Sequence, residues 1–277
     1  MPELANEQLV QHSPKKSCGI RGPQINQKQD SDILEIVRDT TFITRLQLQS
    51  ICAKRGLATS RENFNWRFKR LVDARLVNPL PGEVFPFKSS VYSITREGLA
   101  VLETFGKGLA SVGSDSEHLA SSKQAHHFLT LNEIMFQFDR SFKIQTYMCD
   151  RVLRSYNLCL ANPTAKDYDA FVTVDRSSSN KAPLHIGLEY EATLKSIERY
   201  QEIGAALNRE RQVRLVVYFC GSMGMATSLI EKITSRSCLV CFGAQGEFLR
   251  EGAQTKMLFR QKQETHVITL QSLIDAV

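Results

Sequence analysis

The stretch from Arg61 to Asp73, RENFNWRFKRLVD, decides how the first part of this chain folds. Its apolar side chains recur at the i, i+4, i+7 and i+8 positions that share one face of a helix, namely Phe64, Phe68, Leu71 and Val72. Thr59 or Ser60 is a suitable N-cap for this helix. The sequence therefore predicts an amphipathic helix with one face against a core and the opposite face polar.

The segments on either side of this helix complete a small unit. Upstream, one helix is predicted from Asp30 and a second after a cap at Thr44. Downstream, the Pro- and Gly-containing sequence from Val77 to Ile94 excludes a helix and predicts a hairpin of two strands. A fourth, short helix begins at Thr95. Three helices, a hairpin and a closing helix predict a winged helix-turn-helix over residues 30–105.

Positive charge is concentrated in this unit. Between residues 41 and 90 there are nine Lys and Arg residues and three acidic ones, so the local excess matches the net charge of +6 of the whole chain. A basic helix after a short turn is typical of DNA recognition, in which Arg and Asn read base edges and Lys contacts phosphates. We therefore expect six side chains to contact double-stranded DNA: Arg61, Asn63, Arg67, Lys69 and Arg70 on the helix, and Lys88 on the hairpin.

Two features of this helix leave alternatives open. A charged helix face is also typical of a surface that contacts only solvent, so the basic side chains alone do not establish DNA contact. Trp66 lies on the same polar face. An indole there either packs on the wing, on the second domain or on a dimer mate, which we favour, or contacts DNA.

The rest of the chain divides into a tail, a linker and a second domain. Residues 1–29 are polar and aperiodic and residues 106–122 are rich in Gly and Ser, which predicts a flexible tail and a linker. In residues 123–277 a long helix precedes strands predicted at Lys143–Ser155, Tyr168–Val174, Leu184–Glu191, Val213–Cys220 and Cys238–Phe242. With helices predicted at Leu194–Asn208 and Thr227–Thr234 between the later strands, this order predicts a mixed-sheet α/β domain with one right-handed crossover. The chain as a whole is predicted to be of the α+β / α/β class.

Acidic residues and a lysine are placed around two of these strands. Strand alternation puts Glu189 and Glu191 on one face, Asp169 is on the preceding strand, and Lys195 follows at the start of a helix. Carboxylates on neighbouring strands with a nearby lysine are typical of sites that bind a divalent metal and a phosphodiester. These four residues are the candidate catalytic set, and Asp169 and Glu189 are the candidate ligands of Mg²⁺ if the site is a nuclease.

The element order, with Asp169 and Glu189-Tyr-Glu191, resembles the restriction-endonuclease-like fold, whose signature is Asp followed by (Asp/Glu)-x-Lys. Glu191 stands where that signature has its catalytic lysine, and the usual proline before the strand aspartate is absent. From about residue 30 to 220 the chain is similar to the replication-relaxation family of plasmid and mobile-element proteins, in which a winged helix precedes a degenerate nuclease-like domain. The matching segments are Thr95-Arg-Glu-Gly-Leu, His126-His-Phe-Leu-Thr-Leu-Asn-Glu, Tyr168-Asp-Ala and Leu188-Glu-Tyr-Glu-Ala-Thr, followed by Tyr200.

This resemblance implies a DNA-binding accessory protein of a plasmid or integrative element, acting in mobilisation, relaxosome assembly or replication control. Its second domain, without chemistry of its own and without a cofactor, would dock a relaxase or replication protein or form a homodimer. Two alternatives stay open. One is a magnesium-dependent endonuclease targeted by the winged helix, and the other is a transcriptional repressor whose second domain dimerises or senses a ligand.

Other features bear on location and on further sites. No apolar run approaches the roughly 18 residues of a membrane helix, and seven cysteines form no disulfide-like pattern, so we expect a cytoplasmic protein with no membrane partner. Cys238 and Cys241 have the spacing of a metal knuckle but lack a second pair, and we expect them in the core. Gly221-Ser-Met-Gly224 follows a strand and precedes a helix but lacks the Lys-Ser/Thr of a phosphate loop, so we expect a plain turn there. His126 and His127 point about 100° apart on a helix, so we expect one to pack and the other to face solvent.

Overall fold

The computed structural model describes Asn26 and residues 29–80, 89–109, 122–176 and 181–277. In the first part the helices and strands are α1 (Gln29–Thr40), β1 (Ile43–Thr44), α2 (Arg45–Lys54), α3 (Arg61–Asp73), β2 (Val77–Pro79), β3 (Val91–Ile94) and α4 (Arg96–Thr104). Strand β3 is central to a three-stranded antiparallel sheet, with β1 on one side and β2 on the other. We call the described residues between 29 and 109 the N-terminal unit.

Hydroxyl side chains begin three of these helices by accepting hydrogen bonds from backbone N–H groups that have no partner within the helix. Thr44 accepts from the backbone N–H of Gln47, whose side-chain oxygen accepts from the backbone N–H of Thr44 in return. Ser60 caps α3 and Thr95 caps α4 in the same way. The helix starts predicted from the sequence at these residues are therefore confirmed.

The core of the N-terminal unit forms beneath α3. Phe64, Phe68 and Leu71 are buried there, and the two phenylalanine rings stack with their centroids 5.6 Å apart. Helix α1 contributes four more buried apolar side chains, Ile33, Leu34, Ile36 and Val37. The helical periodicity of this segment is thus confirmed as the face that packs inward.

The remaining helices and strands build the larger part of the chain, which we call the sheet unit. They are α5 (Ser122–Ser141), β4 (Ile144–Cys149), α6 (Asp150–Cys159), β5 (Ala170–Val174), β6 (Leu184–Glu191), α7 (Ile197–Leu207), β7 (Leu215–Cys220), α8 (Met223–Leu229), β8 (Leu239–Ala244), α9 (Gln245–Glu251), β9 (Lys256–Gln261), β10 (Glu264–Thr269) and α10 (Leu270–Ala276). A short 3-10 turn at Gly252–Gln254 joins α9 to β9.

Seven strands form one mixed sheet in the order β10-β9-β8-β7-β6-β5-β4. The pairs β6–β7 and β7–β8 are parallel and the others are antiparallel. All residues of β7 are buried, because one apolar cluster covers each face of the sheet. The predicted mixed sheet is confirmed, but the single crossover is wrong, since two parallel pairs require two crossover connections.

Two predicted elements have different bounds in the structure. The strand expected over residues 143–155 ends at Cys149, and α6 follows it with Leu153 buried against the sheet unit. The helix expected at residues 227–234 begins earlier, because the Ser222 hydroxyl accepts a hydrogen bond from the backbone N–H of Met225 and caps α8. Short apolar runs have the same composition in both kinds of element, so the sequence did not separate them.

The C-terminal hairpin has no counterpart in the sequence prediction. Strands β9 and β10 pair antiparallel around Lys262 and Gln263, both of which have positive φ angles of 48° and 70°. Two-residue hairpin turns of this kind usually contain Asn or Gly, which tolerate positive φ. Because neither Asn nor Gly occupies positions 262 and 263, the sequence does not indicate a hairpin turn here.

Helix α5 contacts both units. The Asn132 side chain donates a buried hydrogen bond of 2.9 Å to the Phe42 carbonyl oxygen, and the Gln47 side chain donates a partly buried hydrogen bond of 2.7 Å to Glu133. Lys54 of α2 pairs with Asp139 near the other end of α5. None of the helices in the described ranges is both long enough and apolar enough to cross a membrane.

Candidate functional site

Strand pairing brings two of the predicted carboxylates together. In the antiparallel pair of β5 and β6, Ala170 lies opposite Leu188, so Asp169, immediately before β5, is next to Glu189. Strand β6 is in the middle of the sheet, where both Glu189 and Glu191 are buried. The carboxylates are therefore held in an environment that penalises unpaired charge.

A buried tyrosine supports the strand pair beside these carboxylates. The Tyr168 ring lies against Gly187, where a Cβ atom would approach the ring to 2.6 Å, so β6 needs a glycine at that position. The Tyr168 hydroxyl donates a hydrogen bond of 2.8 Å to Glu210. The Nζ atom of Lys166 lies 5.1 Å from the centre of the same ring. Tyr168 thus fixes the segment that carries Asp169 and Lys166.

Asp169 has two partners. One carboxylate oxygen accepts a hydrogen bond of 2.8 Å from the backbone N–H of Tyr190, and the other lies 3.4 Å from Nε2 of His127 on α5. Burial by itself would raise the pKa of Asp169, but the contact with His127 and the Tyr190 N–H lower it below its usual value. Burial opposes protonation of His127 in turn, yet Asp169 and Glu189 raise its pKa above the ordinary 6.5. Each partner therefore favours the charged form of the other.

Glu189 is paired with the Nζ atom of Lys166. Burial raises the pKa of Glu189 to about 7, the positive charge of Lys166 opposes that rise, and the nearby negative charge of Asp169 adds to it. Glu189 consequently has a pKa near neutrality, although a lysine contacts it.

Glu191 pairs with Lys195 at a distance of 2.7 Å. Glu191 is buried, whereas the side chain of Lys195 is partly open to solvent. The backbone N–H of Lys195 donates a hydrogen bond of 2.8 Å to the Tyr200 hydroxyl, which fixes the segment between β6 and α7. Burial would lower the pKa of Lys195, but the adjacent Glu191 raises it above its ordinary value, which favours the charged form of this lysine.

The structure therefore brings the four predicted residues of the acidic site into one region, and it adds two that the sequence analysis missed. His127 comes from α5 and Lys166 from the loop before β5, and each contacts one of the predicted carboxylates. His127 was predicted either to pack or to face solvent, and it is His126 that is exposed. No sequence pattern signals these partners, because α5 and the loop meet the strands only in the folded chain.

Mg²⁺ fits this arrangement poorly. A divalent metal needs carboxylate oxygens that are free to coordinate it, usually with several water molecules. Here Glu189 is in contact with Lys166, and Asp169 is engaged by His127 and a backbone N–H. A metal at the two predicted ligands would have to displace both cations. Within the described parts of the chain, no three His, Cys, Asp or Glu residues are grouped in a way that could hold a metal ion.

The polar face of α3 carries the predicted DNA-contacting side chains. Arg61 and Lys69 are exposed, and Lys69 pairs with Asp73 one turn away at 2.8 Å. Trp66 is 58% exposed, and residues 81–88 of the predicted wing, on which it could pack, lie outside the described residues. Lys88 lies outside the described residues.

Three other predicted side chains turn partly inward. Arg67 and Arg70 approach the carboxylate of Asp30 on α1 at 3.3 and 3.7 Å, and Asp30 is only 1% exposed. Asn63 accepts a hydrogen bond of 3.1 Å from Arg67. The Arg70 guanidinium also lies 4.6 Å from the centre of the Trp66 ring. Arg67 and Arg70 thus neutralise the buried carboxylate of Asp30, a role that is not predicted from the sequence.

Two other motifs from the sequence have structural roles. Cys238 and Cys241 are free and buried, as expected for core residues. In the glycine-containing segment from Gly221 to Gly224, the Ser222 side chain caps α8. Neither motif adds a residue to the acidic site.

Comparison with known proteins gives little guidance. No protein-family model and no curated protein matches this chain. Among solved structures it is similar to the crystal structure of protein VC1899 from Vibrio cholerae, with 11% sequence identity over 76% of this chain and a TM-score of 0.19. The alignment spans 53% of that protein. A likeness this low supports no statement about fold or function.

Proposed function

We propose that this protein binds double-stranded DNA through its N-terminal unit, in the manner of a winged helix. The observation that carries the proposal is the outer face of α3, where Arg61, Trp66 and Lys69 are exposed while Phe64 and Phe68 fix the helix to the core. A recognition helix needs such a rigid inner face, because base edges are read only by side chains that hold a fixed position in the major groove.

The supports of α3 also suit this role. Helix α2 precedes α3 after a short connection, and Arg45 at the start of α2 donates a hydrogen bond of 2.7 Å to Asn65 on α3. Strands β2 and β3 follow and would form the base of the wing. Lys88, between them in the sequence, remains a proposed phosphate contact.

For the sheet unit we propose binding of a protein partner, without a chemical step of its own. Three carboxylates at the predicted catalytic positions each have an internal cation: His127 for Asp169, Lys166 for Glu189 and Lys195 for Glu191. This pairing neutralises the charge that an active two-carboxylate metal site requires. The arrangement agrees with a degenerate restriction-endonuclease-like domain, and the resemblance to the replication-relaxation family favours an accessory role on plasmid or mobile-element DNA.

The test is DNA binding and cleavage by the purified protein, with and without Mg²⁺. We expect retardation of linear plasmid fragments that weakens steeply as salt rises, without nicks or breaks. The double variant Arg61→Ala/Lys69→Ala should weaken binding about tenfold or more and lower the salt slope by about 2.

The matched control removes two exposed arginines elsewhere, as Arg209→Ala/Arg211→Ala, and should bind DNA like the wild type. Equal loss in both double variants would show that only overall charge matters and would contradict the assignment to α3. Mg²⁺-dependent cleavage that disappears in Asp169→Ala would replace the proposal for the sheet unit with an endonuclease. A single palindromic site beside the protein's own promoter would favour the repressor.

A further inference from the structure

A cavity of about 410 Å³ opens between the N-terminal unit and the sheet unit. Helices α1, α2 and α5 and strand β4 supply its walls. The apolar part includes Ile51, Met135 and Ile144, and the polar part includes Arg55, Arg140 and Tyr147. Clefts of this size, mostly apolar with a few polar groups, are typical of small-molecule binding sites.

The charges around this cavity do not cancel. Its two acids already have cationic partners: Asp39 accepts a hydrogen bond of 2.7 Å from Arg38, and Asp139 pairs with Lys54. By contrast, the exposed guanidinium groups of Arg55 and Arg140 form no hydrogen bond or direct ion pair with any described residue, although the charge of Arg55 acts on Asp39. Three cations and two acids line the cavity, so its rim has an excess of one positive charge.

Tyr147 adds a polar group without a partner. Tyr147 is one of the lining residues of the cavity, and its hydroxyl forms no hydrogen bond with the described residues. Burial raises the pKa of Tyr147 well above its ordinary value, so the hydroxyl keeps its proton and is available as a donor. Two guanidinium groups and a hydroxyl thus offer donors, and both carboxylates at the cavity already have a cationic partner.

We propose that this cavity binds a small anionic ligand with an apolar body. A carboxylate, sulfonate or phosphate group would contact Arg55 and Arg140, whose planar guanidinium groups suit oxyanions. The apolar body would lie on Ile51, Met135 and Ile144. This inference concerns a different part of the molecule from α3 and from the acidic site, and it does not depend on DNA binding.

The probe is 8-anilinonaphthalene-1-sulfonate, which has an aromatic body and one sulfonate, compared with N-phenyl-1-naphthylamine, which has a similar body and no charge. We expect saturable binding of the sulfonate at one site per chain by fluorescence titration. The double variant Arg55→Gln/Arg140→Gln should weaken it at least tenfold and should change the affinity of the neutral probe less than twofold.

A second cavity of about 260 Å³, beside Arg260 on β9, provides the matched control. Arg260→Gln should leave sulfonate binding unchanged. Ser50→Trp, which substitutes an exposed residue at the cavity wall and fills the space, should abolish binding of both probes. Circular dichroism identifies any variant that fails to fold. If the double variant Arg55→Gln/Arg140→Gln fails to fold, Ser50→Trp still tests whether the probes bind in this cavity.

Three results would overturn the proposal. One is the lack of saturable sulfonate binding, and another is an unchanged affinity in a folded Arg55→Gln/Arg140→Gln variant. The third is loss of binding in Arg260→Gln together with retention in Ser50→Trp, which would place the probe in the other cavity.

Discussion

Glu189 is buried in the centre of the sheet, where its pKa is raised from an ordinary 4.5 to about 7, chiefly by burial. The unfolded chain therefore releases this proton at a lower pH than the folded chain does. Stability from this residue is greatest below pH 4.5 and falls as pH rises from 4.5 to 7, because the folded state must then bury the ionised form. The total change is about 3 kcal/mol in the free energy of unfolding.

We expect Glu189→Gln to remove this part of the pH dependence. Urea unfolding at pH 5 and pH 8 gives a difference in free energy for each protein, and that difference should be smaller in Glu189→Gln than in the wild type. Glu189→Gln also leaves Lys166 without its carboxylate, which lowers the free energy of unfolding at both pH values. This cost cancels when the two pH values are compared within the same protein. The exposed Glu264→Gln is the control and should retain the wild-type difference. An undiminished difference in Glu189→Gln would contradict the role of its burial.

His127 makes a second contribution to the response to pH. Burial lowers its pKa, but Asp169 and Glu189 outweigh that effect and raise it above 6.5. The stability that the charged ring supplies is complete below pH 6.5 and is lost as pH rises through the folded-state value. It therefore changes in the same direction as the contribution of Glu189.

Proton NMR titration of the His127 ring measures this contact directly. We expect Asp169→Asn to lower the pKa of His127, because the substitution removes the nearest negative charge and leaves the effect of burial. The exposed ring of the neighbouring His126 serves as an internal reference in the same spectra. If the pKa of His127 does not move, the 3.4 Å contact with Asp169 is not maintained in solution.

At the scale of elements, α3 combines two roles that are divided between its exposed and its partly buried side chains. Arg61 is exposed at its first turn, whereas the side chain of Arg67 is 13% exposed and pairs with the buried Asp30. Arg61→Ala should therefore weaken DNA binding without changing the urea midpoint. Arg67→Ala should lower the free energy of unfolding by about 2 kcal/mol, because Asp30 would lose a charged partner.

The measurement pairs urea unfolding with DNA titration by fluorescence polarisation on the same two variants. Arg67→Ala tests the contribution of Arg67 to stability. Arg70 stays near Asp30 in this variant, so the negative charge of Asp30 keeps one of its two cationic partners. An Arg67→Ala protein with wild-type stability and reduced affinity would assign Arg67 to DNA contact instead. The sequence alone predicted both arginines as DNA contacts.

The elements also show where sequence reasoning succeeds. The face of α3 and the cap at Thr44 follow from periodicity and side-chain chemistry within a few residues, and both were predicted. Strand β6 and the acids on it were predicted for the same reason. The Lys262-Gln263 turn was missed because neither residue usually adopts positive φ. His127 and Lys166 were missed because only long-range packing brings them to the carboxylates.

At the scale of the molecule, α5 joins the two units. Asn132 reaches Phe42, Gln47 reaches Glu133, and a small apolar cluster around Phe42, Val91 and Leu129 lies beside them. Removing a buried donor such as Asn132 would leave the Phe42 carbonyl oxygen without its partner, at a cost of about 1–3 kcal/mol. The two units should consequently unfold together.

The single tryptophan makes this coupling measurable. Trp66 belongs to the N-terminal unit, so its fluorescence reports that unit, whereas far-ultraviolet circular dichroism reports the whole chain. In the wild type we expect the two urea transitions to coincide, as in cooperative unfolding. In Asn132→Ala they should separate, with the fluorescence transition at lower urea, because the smaller unit loses a buried contact that the sheet unit provides.

The exposed substitution Gln201→Ala on α7 is the matched control and should leave both transitions together. Transitions that are already separate in the wild type would mean that α5 does not couple the units. The cavity that we propose as a ligand site lies along the same contact, since Asn132 is also one of its lining residues. A ligand there would stabilise the joined state by mass action, so the sulfonate probe should raise both midpoints in the wild type and leave them unchanged in Ser50→Trp.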